Sequence, residues 1–410
     1  MEVTVRKAGV AGNVRVPSSK SILQRYLIAG LLADGITELK DVSHCRDTLS
    51  CLSAIRNLSL QPAEEKLLRI AGCNGNIRPH TESINCGESG FALRALSAVA
   101  ALSATRIVLN GVGSLLSRPV DFFEKVFSEL DVECRTNHGF LPVSLKGPVH
   151  FRNITVDGSV SSQFLSGLLM VFPLAEKDHV IEVTNLKSKL YVDLTLQVMK
   201  EFGVSVTHEN YKRFYIQGNQ QYKACTAVAE GDWSGASFFL VAGATAGKVT
   251  IENLKMDSLQ PDKAMIGLLK TCGALVTVDA DKVTVAAPAG KLLPFHFDAT
   301  GCPDLFPPLV ALAAQCDGNS EITGVERLIH KESNRATALQ LEFNKLNKQM
   351  LSCEGNKMIV HGGMPLKRAV VDSHNDHRIA MALAIALATA GCGTKPLSPL
   401  LHGQAPWSMS

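Results

Sequence analysis

The chain carries almost no net charge. Its 410 residues hold 41 Lys plus Arg against 38 Asp plus Glu, a balance of +3. A global basic field is therefore missing. That argues against a nucleic-acid partner and leaves any anion binding to local clusters. Long apolar runs are missing too. The longest, such as Ile379 to Ala390, reach about a dozen residues where a bilayer needs about twenty, so no membrane partner is expected. The opening Met1-Glu2-Val3-Thr4-Val5 has no apolar stretch of the signal-peptide kind. The eleven Cys are odd in number and form no CxxC pair. Their spacing argues against a zinc site. Their scatter over apolar stretches, as at Cys51, Cys272 and Cys316, fits buried thiols in a reducing cytosol, so a cytoplasmic location is expected. No G-x-x-x-x-G-K-[ST] loop and no G-x-G-x-x-G turn opens a helix, which argues against P-loop nucleotide and dinucleotide sites.

What the chain does have is a foldable balance, with 46% apolar and 19% charged residues, and a length that calls for two domains. It also has a repeat. Six times, about seventy residues apart, a short turn of small or polar residues opens an Ala/Leu-rich helix. The turns are Pro17-Ser18-Ser19-Lys20-Ser21, Cys86-Gly87-Glu88-Ser89-Gly90, Gly158-Ser159-Val160-Ser161-Ser162, Gly231-Asp232-Trp233-Ser234-Gly235, Gly301-Cys302-Pro303-Asp304 and Ser373-His374-Asn375-Asp376-His377. Most units add a second, more polar helix, opened by Arg118-Pro119, Tyr191-Val192-Asp193 or Pro261-Asp262 and followed by an alternating strand segment such as Ala274 to Val278. Each unit is thus a mixed α/β module. Three modules per domain place a boundary near residue 228. The N-terminal strand, predicted at Val3 to Lys7, could cross to the second domain. The expected division is 1–13 plus 228–410 against 14–227, joined by two connections that make a hinge beside a substrate cleft. The sixth unit departs from the repeat. After Ala390 the chain reads Gly391-Cys392-Gly393-Thr394-Lys395-Pro396, without helical periodicity. A last helix is therefore expected to be missing, as in a truncated or frameshifted chain.

Helix starts attract anions and disfavour cations. Lys20, Arg25, Lys331 and Arg378 nevertheless stand at or near such starts, which points to a shared anionic ligand. Arg118 follows a Gly-rich loop and suits bidentate phosphate or carboxylate contact. Ser161, Ser162 and Gln163 offer donors to phosphate oxygens. Asp304 and Glu332 are the candidate acid/base groups, although Asp304 also fits a simple helix cap.

Taken in order, Pro17-Ser18-Ser19-Lys20-Ser21 with Arg25, Ser161-Ser162-Gln163-Phe164-Leu165, Pro303-Asp304 with Pro307, Lys331-Glu332-Ser333 with Arg335, and Asp376-His377-Arg378-Ile379-Ala380 resemble the motifs of the EPSP synthase (3-phosphoshikimate 1-carboxyvinyltransferase) family, from the N-terminus to about residue 390. The resemblance implies two inverse α/β domains, each of three βαβαββ-type repeats. It implies transfer of the enolpyruvyl group of phosphoenolpyruvate to the 5-hydroxyl of shikimate 3-phosphate in aromatic amino acid biosynthesis, by a monomer with no cofactor or metal. Carried over residue by residue, Lys20 would touch both substrates, and Ser21, Arg25, Ser161, Ser162 and Ser188 would hold shikimate 3-phosphate. Gln163 would lie between the substrates, while Gly90, Arg118, Arg335 and Arg378 would hold phosphoenolpyruvate. Asp304 would act on the 5-hydroxyl proton beside Lys331, and Glu332 would move a proton at the methylene carbon.

The sequence departs from the family pattern at Phe91 (usually Thr), Glu88 (usually Asn) and Asn334 (usually Asp). The family's further Lys near its last helix is not visible. A non-catalytic anion-binding relative of the same fold stays open as a reading, as does the related UDP-N-acetylglucosamine enolpyruvyl transferase, which lacks the Ser-Ser-Gln-Phe pattern.

Overall fold

A computed structural model describes residues 3–58, 63–64, 68–159 and 161–389. The chain divides into two compact units. One is continuous, Ser18 to Ala229; the other is discontinuous, formed by the residues up to Pro17 and those from Glu230 onward. Each has its own hydrophobic core.

The continuous unit holds helices α1 (Lys20–Leu32), α2 (Arg46–Leu58), α3 (Gly90–Ala100), α4 (Phe122–Glu129), α5 (Ser162–Val171) and α6 (Lys189–Glu201). The discontinuous unit holds α7 (Trp233–Ala246), α8 (Met265–Thr271), α9 (Phe306–Ala313), α10 (Arg335–Leu346) and α11 (His377–Thr389). The helices that follow the six turns are apolar nearly all round and therefore go to the core. Every residue of α3 and of α9 is buried. The intervening helices are more polar; α4 packs on Glu133–Asn137 and buries only Phe123, Val126 and Phe127, whereas α6 packs on α1 and α5.

The described residues form five four-stranded sheets. Each joins a parallel pair to an antiparallel hairpin. Ser83–Asn85 runs parallel to Ile107–Asn110, which pairs with Phe140–Lys146 and through it with Glu133–Asn137. Ile154–Asp157, His179–Thr184, Arg213–Ile216 and Val206–Glu209 repeat that order, as do His296–Asp298, Asn319–Thr323, Lys357–His361 and Leu351–Glu354. In these three sheets the parallel strand feeds directly into the core helix, so the helix start lies at the strand's C-terminal end.

The other two sheets borrow that strand. Val10–Arg15 precedes α1 in the chain but pairs with Gly247–Glu252 of the discontinuous unit. Thr226–Val228 precedes α7 but pairs with Ile36–Lys40 of the continuous unit. Each unit's sheet is thus closed by the segment through which the chain leaves. At the second crossing the backbone packs tightly. A Cβ on Gly231 would stand 1.9 Å from the carbonyl oxygen of Asn253, which only glycine tolerates.

Two sequence expectations need correction. The N-terminal strand is Val10–Arg15, not Val3 to Lys7. Val3 makes a single isolated bridge, and Val3 and Val5 pack against the core of the discontinuous unit. Local alternation favoured the earlier segment, whereas the long-range parallel ladder selects the later one despite its glycine. Lys331 does not open a helix: α10 begins at Arg335, capped by Asn334, whose side chain accepts from the Thr337 N–H. The expected loss of a last helix and Lys falls on residues 390–410, which lie outside the described residues.

Candidate active site

In the continuous unit, α1 starts with a cation at the wrong end of the helix dipole. The structure supplies the counter-charge: Lys20 Nζ sits 2.9 Å from Asp47 Oδ2, in the first turn of α2. One turn along, Gln24 Nε2 donates to the Asp47 carbonyl at 3.1 Å and to Ser89 Oγ at 2.7 Å, tying α1 to the cap of α3. Arg25 is buried and held by neutral oxygens. Its guanidinium donates to Thr195 Oγ1 at 2.8 Å and to the carbonyls of Ser21 (2.7 Å) and Tyr191 (3.0 Å). It also lies 4.4 Å above the ring of Phe91, which gives this departure from the family pattern a role in holding the charge. Burial pushes the Arg25 pKa down to about 10.

A second cluster forms where α3 begins. Ser89 caps it, accepting from the Ala92 N–H at 3.2 Å. At Gly90 a Cβ would stand 2.8 Å from an Arg94 guanidinium nitrogen and 2.9 Å from one of Arg118, so the missing side chain is what lets both cations approach the helix start. Arg94 donates to Gln163 Oε1 at 3.2 Å and, at 3.5 Å each, to the carbonyls of Gly90 and Pro119. Burial, then the like charge of Arg118, push its pKa down to about 10. Arg118 reaches Ser114 Oγ at 3.1 Å, and Glu88 accepts from the Ser114 N–H at 2.9 Å. Ser161 caps α5 through the Gln163 N–H (3.1 Å), with buried Ser162 next to it. Ser188, just before α6, takes a left-handed conformation at φ 53°.

The discontinuous unit gathers its cations around one carboxylate. Asp304 lies 3.2 Å from Lys331 and 3.0 Å from Arg335 through Oδ1, and 3.1 Å from Arg378 through Oδ2. Arg335 is fully buried and also pairs with Glu332 (2.6 Å) and Asp376 (2.7 Å). Asp376 accepts from Ser333 Oγ at 3.2 Å and caps α11 through the Arg378 N–H at 2.9 Å. Burial works against the charged form of Arg335, but Asp376, Glu332 and Asp304 outweigh it and push its pKa up. For Arg378 burial is likewise outweighed, chiefly by Asp304. For Lys331 burial wins and the pKa falls, Arg335 adding to the effect against the pull of Asp304. Asp262 is buried near this group and accepts from Ser234 Oγ at 2.9 Å. Burial and the charge of Asp304 push its pKa up to about 7.

The structure therefore brings Asp304, Lys331, Glu332, Arg335 and Arg378 together, and separately gathers Gly90, Arg118 and Gln163. Sequence reasoning missed Asp47, Arg94 and Asp262. A signal for Arg94 was there: it is an Arg in the apolar run Phe91-Ala92-Leu93-Arg94-Ala95-Leu96, with no acid one turn away on either side. Asp47 left no comparable mark, because its partner is far away in sequence. Chemically, these clusters can neutralise phosphate and carboxylate groups and offer carboxylates for proton transfer.

Solved structures match the architecture. EPSP synthase from Acinetobacter baumannii superposes with a TM-score of 0.79 at 23% identity, covering 98% of this chain and 93% of that one. The enolpyruvyl transferase NikO from Streptomyces tendae gives 0.77 at 16% identity, covering 97% and 92%. These likenesses define an α/β fold shared with enolpyruvyl transferases. The family model for EPSP synthase (3-phosphoshikimate 1-carboxyvinyltransferase) matches residues 5–395. The 3-phosphoshikimate 1-carboxyvinyltransferase of Clostridium novyi (strain NT) is 34% identical over 386 residues, 92% of this chain and 88% of the relative. That of Clostridium kluyveri is 36% identical over 397 residues, 96% and 92% of the two chains. The chain belongs to the EPSP synthase family.

Proposed function

We propose that this chain transfers the enolpyruvyl group of phosphoenolpyruvate to the 5-hydroxyl of shikimate 3-phosphate, releasing phosphate. The observation that carries the assignment of residues is the Asp304 group, in which one carboxylate meets Lys331, Arg335 and Arg378 within 3.0–3.2 Å. Both substrates are polyanions, and this family member concentrates buried cations at its helix starts.

In this reading Lys20 touches both substrates, and Ser21, Arg25, Ser161, Ser162 and Ser188 hold shikimate 3-phosphate. Gly90, Arg118, Arg335 and Arg378 hold phosphoenolpyruvate, with Gln163 reaching both. In the addition step Asp304 takes the 5-hydroxyl proton as that oxygen bonds to C2 of phosphoenolpyruvate, and Glu332 protonates C3. The product is a tetrahedral intermediate. In the elimination step Glu332 takes a proton back from C3, the C2–O bond to phosphate breaks, and the enol double bond re-forms. Fixed cations around the departing phosphate lower the barrier because they need no reorganisation as charge moves. Every proton is accounted for by protein carboxylates and phosphate, so the residues suffice without a cofactor.

The companion proposals are a cytoplasmic monomer. The first is supported by ten free thiols among the described residues, and no helix there is long and apolar enough to cross a membrane. Sedimentation checks the second. The decisive experiment is phosphate release by the purified chain. Release that needs both phosphoenolpyruvate and shikimate 3-phosphate is expected. No release, or release only when UDP-N-acetylglucosamine replaces shikimate 3-phosphate, overturns the reading.

A further inference from the structure

The turn that delivers Asp376 and Arg378 is not relaxed. His374 and Asn375 both adopt left-handed backbone, at φ 50° and 59°. Two consecutive non-glycine residues there are sterically strained and persist only where the surroundings hold them. The holder is on α10. Glu342 is buried, 1% exposed, and its carboxylate collects four hydrogen bonds. Lys345 Nζ reaches its two oxygens at 2.8 and 2.7 Å. The backbone N–H of Asp372 donates at 2.8 Å, and His374 Nε2 lies 2.8 Å away. A carboxylate only accepts, so His374 is the donor in that bond. The turn is further closed by the His374 N–H on Asp372 Oδ1 at 2.7 Å and the Asp376 N–H on the Ser373 carbonyl at 2.9 Å.

Glu342 stands two helical turns after Arg335 on α10 and so on the same face. Arg335 grips Asp376, and Glu342 grips His374 and Asp372. One rigid helix therefore clamps the segment at both ends, immediately before Arg378. Lys345 is half exposed and Glu342 is not, so the buried charge is directed at the turn rather than at solvent. The two carboxylates of this segment, Asp372 and Asp376, are each engaged with backbone N–H groups, and His377 stands between Asp376 and Arg378.

We propose that Glu342 and His374 are positioning residues: through the strained turn they set where Arg378 meets phosphoenolpyruvate. Neither is among the residues proposed above to hold substrate. The inference rests on the function proposed above and goes beyond it in naming a specificity device for one substrate.

The test uses the full chain, with phosphate release measured while each substrate is titrated against a saturating level of the other. Phosphoenolpyruvate binding by calorimetry is the second readout. His374→Asn keeps a residue that accepts left-handed backbone but is too short to reach Glu342. His374→Gln restores a donor of near-native reach. A misplaced turn costs phosphoenolpyruvate affinity, so His374→Asn is expected to raise KM for phosphoenolpyruvate about tenfold or more while KM for shikimate 3-phosphate stays within about twofold. His374→Gln is expected to recover most of the loss, and Glu342→Gln to repeat the selective effect. An unchanged KM for phosphoenolpyruvate in a folded His374→Asn chain overturns the proposal. So does an equal weakening of both substrates without rescue by Gln, which would mark a purely structural contact. A wild-type chain that binds phosphoenolpyruvate but does not turn over counts against the proposed function alone, and calorimetry on the variants then decides this inference. A wild-type chain that binds none sinks both.

Discussion

The two units solve the same electrostatic problem in opposite ways. In the continuous unit, Arg25 and Arg94 are buried among neutral oxygens, and burial pulls their pKa values down to about 10. In the discontinuous unit, Arg335 and Arg378 are just as buried, but carboxylates outweigh that burial and push their pKa values up, Asp376, Glu332 and Asp304 for Arg335 and chiefly Asp304 for Arg378. A guanidinium among carbonyls stays an unneutralised charge, and an incoming anion gains the most there. One already paired with carboxylates leaves an incoming anion less charge to neutralise and holds it more by its fixed position. The difference shows that cations at helix starts are not one population, although they look alike in the sequence.

The sharpest way to break this contrast is to remove one Arg of each kind. Arg335→Met would strand Asp376 and Glu332 as uncompensated charges and is expected to cost about 3–5 kcal/mol of stability by urea unfolding. Arg94→Met removes a buried charge that has no carboxylate partner among the described residues. It is expected to change stability by about 1 kcal/mol or less, yet to raise KM for phosphoenolpyruvate at least about tenfold. Equal stability losses in the two variants would erase the distinction. Gly90→Ala is a milder probe: its methyl group must displace the tips of Arg94 and Arg118, while alanine is a better helix former. A rise of about tenfold in KM for phosphoenolpyruvate, with unfolding unchanged or slightly improved, is the expected result.

The smallest effect concerns the other unit. The folded-state pKa of Asp262 is raised to about 7, so the folded chain binds that proton more tightly than the unfolded chain does. The stabilising contribution is fully present below the unfolded value near pH 4 and is lost as pH rises through about 7. Wild type should therefore gain roughly 1 kcal/mol on Asp262→Asn when the pH falls from about 7.5 to about 6, read as the difference between urea midpoints. No convergence or divergence over that range would show that Asp262 does not titrate there.

Much of this was legible along the chain because it is local. Pro17, Gly90, Ser161 and Pro303 mark helix starts by their own chemistry, and the core helices follow where the apolar run begins. Strand pairing was not legible. Nothing near Val10 says that its partner is Gly247, and the parallel ladder overrode the more regular alternation at Val3 to Lys7. The site shows the same division. Lys20, Asp304, Arg335 and Arg378 stand in short recognisable motifs, whereas Asp47, Arg94, Asp262 and Glu342 matter only through partners that the fold brings to them. Lys331 was misplaced for a related reason: the helix it precedes begins at the Asn334 cap, and Asn334 is itself a departure from the family pattern.

The borrowed strand Val10–Arg15 has a consequence for how the molecule is made. It is synthesised before the continuous unit, but the strand it pairs with, Gly247–Glu252, appears only after that entire unit has been made. Ser18 to Ala229 carries all of its own strands and can fold while translation continues. This early-made strand is therefore among the last to find its place, and it spends that interval as an unpaired strand in need of protection.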